Sequence, residues 1–396
     1  MRTRNHLGSL TIVTVAILAA CSDPVQSPTA PSTRTPQFSE VDAQAGRDDY
    51  IVVLRETESA VSATAASLAA SVGGMVKDQW TDVINGFLAD MTDEGAAALR
   101  RRAEVVLVEK NAPVQASATQ LNAPWGLRRI DDRFLPNDAN YTYNKTGLGV
   151  HAYIIDTGIR PTHVDFTGRV LGGFSVIAGG VIDCNGHGTH VAGTVGGTTY
   201  GVAKKVWIHP VRVLNCAGSG TTAGVISGIN WVRANRVLPA VANLSLGGGF
   251  SAALNLAVNN LVTLGNVATA VAAGNSNLNA CGFSPASAAS VLTVGATAIN
   301  DTRAVFSNFG ACLDIFAPGV GIRSDWFTSN VATAVLSGTS MASPHVAGVL
   351  AQVRQWQPLV SAVVAQNIVI THSTPGIVIN AGAGSPNRML FMGLIP

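Results

Sequence analysis

Five short apolar runs, at residues 150–155, 206–213, 241–246, 267–273 and 291–296, constrain this chain more than anything else in it. Each has the length of a strand and almost no polar face, so each must be covered on both sides. Segments 187–196, 221–236 and 251–264 fall between them and show helical spacing. Strands alternating with helices join through right-handed crossovers, which predicts an α/β fold: a mostly parallel sheet with helices on both faces. Sites in such sheets lie just past the carboxyl ends of the strands. Composition agrees with a packed domain. Charged residues are 12% of the 396 and glycines number 41, a balance suited to close turns and not to a solvated chain. Lys plus Arg total 25 against 23 Asp plus Glu, which gives no electrostatic ground for a nucleic acid partner or a polybasic membrane contact.

The segments ahead of this body differ from it. Residues 1–20 read as an export signal, because Arg2 and Arg4 lead into an uncharged stretch too short to span a bilayer. Leu18-Ala19-Ala20-Cys21 resembles a bacterial lipobox, making Cys21 a candidate lipid anchor; ordinary cleavage nearby is the alternative. Residues 21–47, rich in Ser, Thr and Pro, read as a tether. Residues 48–117 contain a small α+β unit, with strands expected at 50–54, 83–89 and 105–109 and helices at 59–71 and 94–102. A second tether is expected at 111–119, and the body runs from 118 to 396. An exported chain reaches an oxidising compartment, where Cys184, Cys216, Cys281 and Cys312 admit three pairings.

Three segments of the body carry chemistry. Asp156 directly follows the first apolar strand, with Thr157 and Gly158 turning the chain. His187 stands in Asn185-Gly186-His187-Gly188-Thr189-His190, at a helix start. Ser340 stands in Ser337-Gly338-Thr339-Ser340-Met341-Ala342-Ser343-Pro344-His345, the opening of a helix running to about Gln355, where Pro344 is tolerated because it lies in the first turn. Together, and in the order Asp, His, Ser, these segments resemble the subtilisin-type serine proteases, most of all the proteinase K and aqualysin branch, from about Ala123 to the C-terminus. That order is one by which subtilisins are known. It argues against the weaker alternative of an α/β-hydrolase, whose serine comes first in a Gly-x-Ser-x-Gly elbow; here Ala342 replaces the second glycine.

The resemblance implies a serine endopeptidase of broad specificity that works through an acyl-enzyme. Ser340 would be the nucleophile, His187 its base and Asp156 the anion that orients the imidazole. Asn275, after another strand end, would share the oxyanion hole with the backbone N–H of Ser340. Ser245, Leu246 and Gly247 (with Gly248 and Gly249 following) and Ala272, Ala273 and Gly274 resemble the edges of the primary pocket. Gly218, Ser219 and Gly220 resemble the strand that pairs with an extended polypeptide substrate. Residues 48–117 resemble the ferredoxin-like propeptide that inhibits such enzymes in cis, an adhesive domain being the alternative. Cleavage would fall between about Ala116 and Thr119, with Ala118 the first mature residue. Cys184 would pair with Cys216 and Cys281 with Cys312, neither pair touching the chemistry, and Val191 replaces a cysteine common in the proteinase K branch. Structural calcium would rest on Asp314 with the carbonyls of Ala289 and Val291, and at a second place on Asp131, Asp132, Asp138 and Asn140, where Arg128 replaces an aspartate of close relatives and should weaken the site. A monomer is expected. His190 could suggest zinc, but no Glu intervenes as in His-Glu-x-x-His, so it reads as a packed helix residue, as do His151, His163, His209 and His345. The rival to an enzyme is a peptide-binding module that has lost turnover.

Overall fold

The computed structural model describes residues 46–55, 61–111, 118–393 and 395. The signal segment, Cys21, most of the first tether and residues 112–117 lie outside the described residues. The chain divides into two compact units, Met1–Ala112 and Pro113–Pro396.

In the first unit the strands are β1 (Arg47–Leu54), β2 (Met75–Trp80), β3 (Gly86–Thr92) and β4 (Val105–Lys110), with helices α1 (Val61–Ser71) and α2 (Asp93–Leu99). The antiparallel sheet has the order β2-β3-β1-β4, which with two crossover helices is the ferredoxin-like arrangement expected. Tyr50, Val52 and Leu54 alternate along β1 and are buried with Leu68, Phe87 and Leu99. The bounds shift in places, the helix expected at 94–102 ending at Leu99, and one strand, β2, is not among those expected. The strand expected at 83–89 begins at Gly86, and β2 carries no apolar alternation because Lys77, Asp78 and Gln79 leave it largely exposed at the sheet's edge.

The second unit contains, in order, β5 (Ala118–Gln120), α3 (Trp125–Asp131), β6 (Tyr141–Tyr143), β7 (His151–Asp156), β8 (Phe174–Ser175), α4 (His187–Gly196), β9 (Trp207–Arg212), α5 (Thr222–Asn235) and β10 (Ala240–Leu244). It continues with β11 (Gly248–Gly249), α6 (Ala252–Thr263), β12 (Val267–Ala272), β13 (Phe283–Ser284), β14 (Leu292–Thr297), β15 (Ile315–Pro318), β16 (Ile322–Asp325) and β17 (Thr333–Leu336). Helices α7 (Thr339–Trp356) and α8 (Ala362–His372), then β18 (Thr374–Pro375) and β19 (Arg388–Met389), complete it. Nine strands form the central sheet in the order β18-β19-β15-β14-β12-β10-β7-β9-β8, parallel except at the β18–β19 edge. Every residue of β10, β12 and β14 is buried, as strands covered on both faces must be. Helices α4 and α7 pack on each other and on the sheet, and α5 and α6 form a second pair. Ala118 and Thr119 are not tether: β5 pairs antiparallel with β6.

Candidate active site

Asp156 ends β7 and is fully buried. Its Oδ1 accepts a hydrogen bond from His187 Nδ1 at 2.8 Å and another from the Thr157 N–H at 2.7 Å. A carboxylate only accepts, so the proton sits on Nδ1 and Nε2 keeps a lone pair. His187 opens α4, and the turn before it requires Gly186: its φ is +108°, and a Cβ there would lie 2.5 Å from the Trp326 ring. Asp183, which the sequence did not single out, anchors this helix start. It accepts from the N–H groups of Asn185, Gly186 and Thr189 and the hydroxyls of Thr157 and Thr189. Burial opposes a charge on His187. The charge and hydrogen bond of Asp156, with Asp183 beyond, outweigh it, so the imidazole titrates above its ordinary 6.5.

Ser340 is the second residue of α7. A Cβ built on Gly338, just before the helix, would lie 3.5 Å from Asn275 Nδ2 and 3.6 Å from the Ser340 N, so both nitrogens lie close beside this glycine. Asn275 is aimed by Thr339, whose N–H and hydroxyl both donate to its Oδ1, at 2.8 and 2.9 Å. Ser340 Oγ donates to the Ser245 carbonyl at 3.1 Å, in place of the bond to His187 that the motifs suggest.

A cavity of about 490 Å³ is lined by His187 with Gly218, Ser219, Gly220, Ser245, Leu246 and Gly247. A second, of about 250 Å³, is lined by Ala272, Ala273, Gly274, Asn275 and Ser340 and shares Leu246 and Gly247 with the first. That common wall joins the His187 and Ser340 sides into one cleft. The disulfides are Cys184–Cys216 and Cys281–Cys312. The first borders the cleft: Cys184 stands three residues before His187, Cys216 two before Gly218, and Asn185 Nδ2 donates to the Cys216 carbonyl at 3.0 Å across the cleft's edge.

Residues 147–389 match the family model described as the subtilase family. The chain belongs to that family. As a subtilase it is a serine protease, and residues 49–117 ahead of the protease match the peptidase inhibitor I9 model. The extracellular serine proteinase of Thermus sp. (strain Rt41A) is 46% identical to this subtilase over 95% of the chain and 96% of that protein. The alkaline serine exoprotease A of Vibrio alginolyticus is 48% identical over 78% of the chain and 58% of that protein. A solved cold adapted subtilisin-like serine proteinase is 48% identical, with a TM-score of 0.66, covering 68% of the chain and 98% of its own.

The residues expected to hold calcium gather in two places. Ala289, Val291 and Asp314 line one cavity of about 350 Å³. Burial lifts the Asp314 carboxyl to about 6, against a hydrogen bond from the Thr293 N–H. At the second place Asp138 N–H donates to Asp132 and Asn140 N–H to Asp138, while Asp131 Oδ1 is buried without a partner. Burial first, then the charges of Asp132 and Asp138, push the Asp131 carboxyl to about 7. Among the described residues no three His, Cys, Asp or Glu side chains close on one metal position, so an ion at either place would lean on backbone oxygens. Arg128 makes no ion pair with these carboxylates among the described residues; it borders a different cavity beside Arg323.

The five histidines expected to pack make these contacts. His190 Nε2 bonds the Ile322 carbonyl, His345 Nδ1 the Met341 carbonyl and His163 Nε2 the Ala332 carbonyl, while His151 and His209 bond each other at 2.8 Å. Burial lowers His190 and His345 to about 4, so both stay neutral.

Proposed function

We propose that Ser340, His187 and Asp156 form the catalytic triad of this subtilase, with Asn275 Nδ2 and the Ser340 N–H as its oxyanion hole. For attack the Ser340 hydroxyl leaves the Ser245 carbonyl, gives its proton to His187 Nε2 and bonds the scissile carbonyl carbon. The carbonyl oxygen takes the negative charge, which the Asn275 amide and the Ser340 N–H would stabilise by donating to it. His187 then passes the proton to the departing amine as the C–N bond breaks, leaving an acyl group on Ser340, and water repeats the steps to release it. Asp156 holds the Nδ1 tautomer and offsets the imidazolium charge. The observation that carries this reading is the 2.8 Å bond between His187 Nδ1 and a fully buried Asp156.

Gly218, Ser219 and Gly220 would pair with an extended peptide backbone, and the small residues Ala272, Ala273 and Gly274 beside Ser245, Leu246 and Gly247 leave room for a large apolar side chain. Backbone pairing reads any unfolded polypeptide, hence broad specificity. Residues 48–117 would act as the inhibitor in cis and 118–396 as the mature enzyme. Export is supported by the extracellular description of the Thermus relative, and attachment to lipid through Cys21 would precede maturation. Calcium at Asp314, Ala289 and Val291, and at Asp131, Asp132, Asp138 and Asn140, would be a structural ion held partly by these carboxylates, and a monomer is the expected state.

The test is casein cleavage with and without a sulfonyl reagent directed at serine. Loss of turnover with the label on Ser340 is expected. A protein that binds peptide and never cleaves it would return the binding-module reading.

A further inference from the structure

Ser340 sits where α7 lacks a hydrogen bond. The carbonyl of residue i in a helix accepts from the N–H of residue i+4, and four residues after Ser340 stands Pro344, which has none. The donor comes from outside the helix: Ser245 Oγ donates to the Ser340 carbonyl at 2.7 Å. Ser245 is itself aimed from behind. Asn243 Nδ2 donates to Ser245 Oγ at 2.8 Å, and Ser343 Oγ donates to Asn243 Oδ1 at 2.7 Å. Asn243 and Ser343 are fully buried, and Ser245 is 3% exposed. All donors point one way, from Ser343 through Asn243 and Ser245 to Ser340, so each bond polarises the next.

A buried asparagine inside a parallel strand needs such a reason. Every other residue of β10 is apolar, and Asn243 faces a cost of desolvation that only complete hydrogen bonding removes. Both ends of its amide serve a single chain of bonds that leaves the first turn of α7 at Ser343 and returns to it at Ser340. Since Ser245 also belongs to the wall of the cleft, the chain sets the nucleophile's backbone against the surface that holds substrate.

We infer that Asn243 is a positioning residue for the nucleophile: with Ser343 behind it, it holds the Ser245 hydroxyl on the Ser340 carbonyl that Pro344 leaves without a donor. The inference rests on the reading of Ser340 as nucleophile. A displacement of the reacting hydroxyl of about 1 Å is enough to cost about a hundredfold in rate while leaving peptide binding intact.

The experiment compares Ser343→Ala, Ser343→Thr and Asn243→Ala in the full-length protein, allowed to mature. The readouts are kcat, KM, Tm and the rate at which a sulfonyl reagent labels Ser340. Ser343→Ala should lower kcat and labelling by about tenfold, with KM within about twofold, at temperatures far below its Tm. Ser343→Thr keeps the hydroxyl and should restore both rates. Asn243→Ala should lose about a hundredfold, and if it fails to fold, the Ser343 pair decides alone. Wild-type kcat and labelling in Ser343→Ala would overturn the inference, as would Ser343→Thr falling as far as Ser343→Ala, or a loss confined to KM. Failure of the wild-type enzyme to take label at Ser340 would instead overturn the assignment of the nucleophile.

Discussion

In the proposed oxyanion hole Asn275 divides one amide between two roles: Thr339 occupies the oxygen, and the nitrogen would serve the substrate. Replacing it by Ala should lower kcat by roughly 150-fold, about 3 kcal/mol, the known cost of losing this donor in a subtilisin, with KM nearly unchanged in a peptide assay. The proposed base carries its own signature. His187 must be neutral to accept a proton, and its carboxylate partner raises its pKa above 6.5, so kcat/KM should fall as pH drops through a value above 6.5. Asp156→Asn removes the charge that outweighs burial and should move that limb to lower pH while cutting kcat by about 10⁴. An unchanged limb would mean that some other group titrates. These residues were legible because each stands in a short motif of glycines and small polar residues. Asp183 and Asn243 were not, because their meaning lies in partners far along the chain: Thr157 is 26 residues from Asp183, and Ser343 is 100 from Asn243.

The two disulfides close loops of similar length yet should behave differently. In the chain-entropy picture each stabilises by about 3 to 4 kcal/mol. Cys281→Ser with Cys312→Ser should therefore lower Tm without changing KM. Cys184→Ser with Cys216→Ser should lower Tm and raise KM, because that bridge ties the approach to His187 to the Gly218 edge of the cleft. The β16–α4 packing makes a separate prediction. Asp325 is fully buried against Gly193 of α4, both its oxygens lack hydrogen bonds, and burial with the nearby Asp165 charge, only partly relieved by Arg169, lifts its carboxyl to about 8. The folded protein keeps this proton where the unfolded chain, near 3.8, has lost it, so stability falls as pH rises from about 4 to about 8 and then levels. Asp325→Asn should raise Tm at pH 9 by the equivalent of a few kcal/mol and change nothing at pH 3, as calorimetry at the two pH values would read. Strands buried on both faces announced themselves by composition. The edge strand β2 and the short pairs β5–β6 and β16–β17 did not, since backbone pairing forms them with little help from apolar spacing.

For the whole chain the two units have separate jobs, and a Ser340→Ala protein expressed alone should keep both joined on a gel; processing in that variant would contradict cutting in cis. A chelator should lower the Tm of the mature enzyme and added calcium should restore it, whereas no shift would remove both proposed ion sites. Lys204 bears on the fate of the chain after the cut. It is 7% exposed, and its ammonium holds the Gln120 side chain at 2.6 Å along with the Thr198 and Gly201 carbonyls; Gln120 in turn donates to the Thr199 carbonyl. The strand beginning at Ala118 is thus already moored in the protease before any bond is broken. Scission just upstream would leave a new amino terminus that cannot drift off with the discarded piece, so the protease need not relearn its shape at birth: liberation would consist only in the departure of the inhibitor.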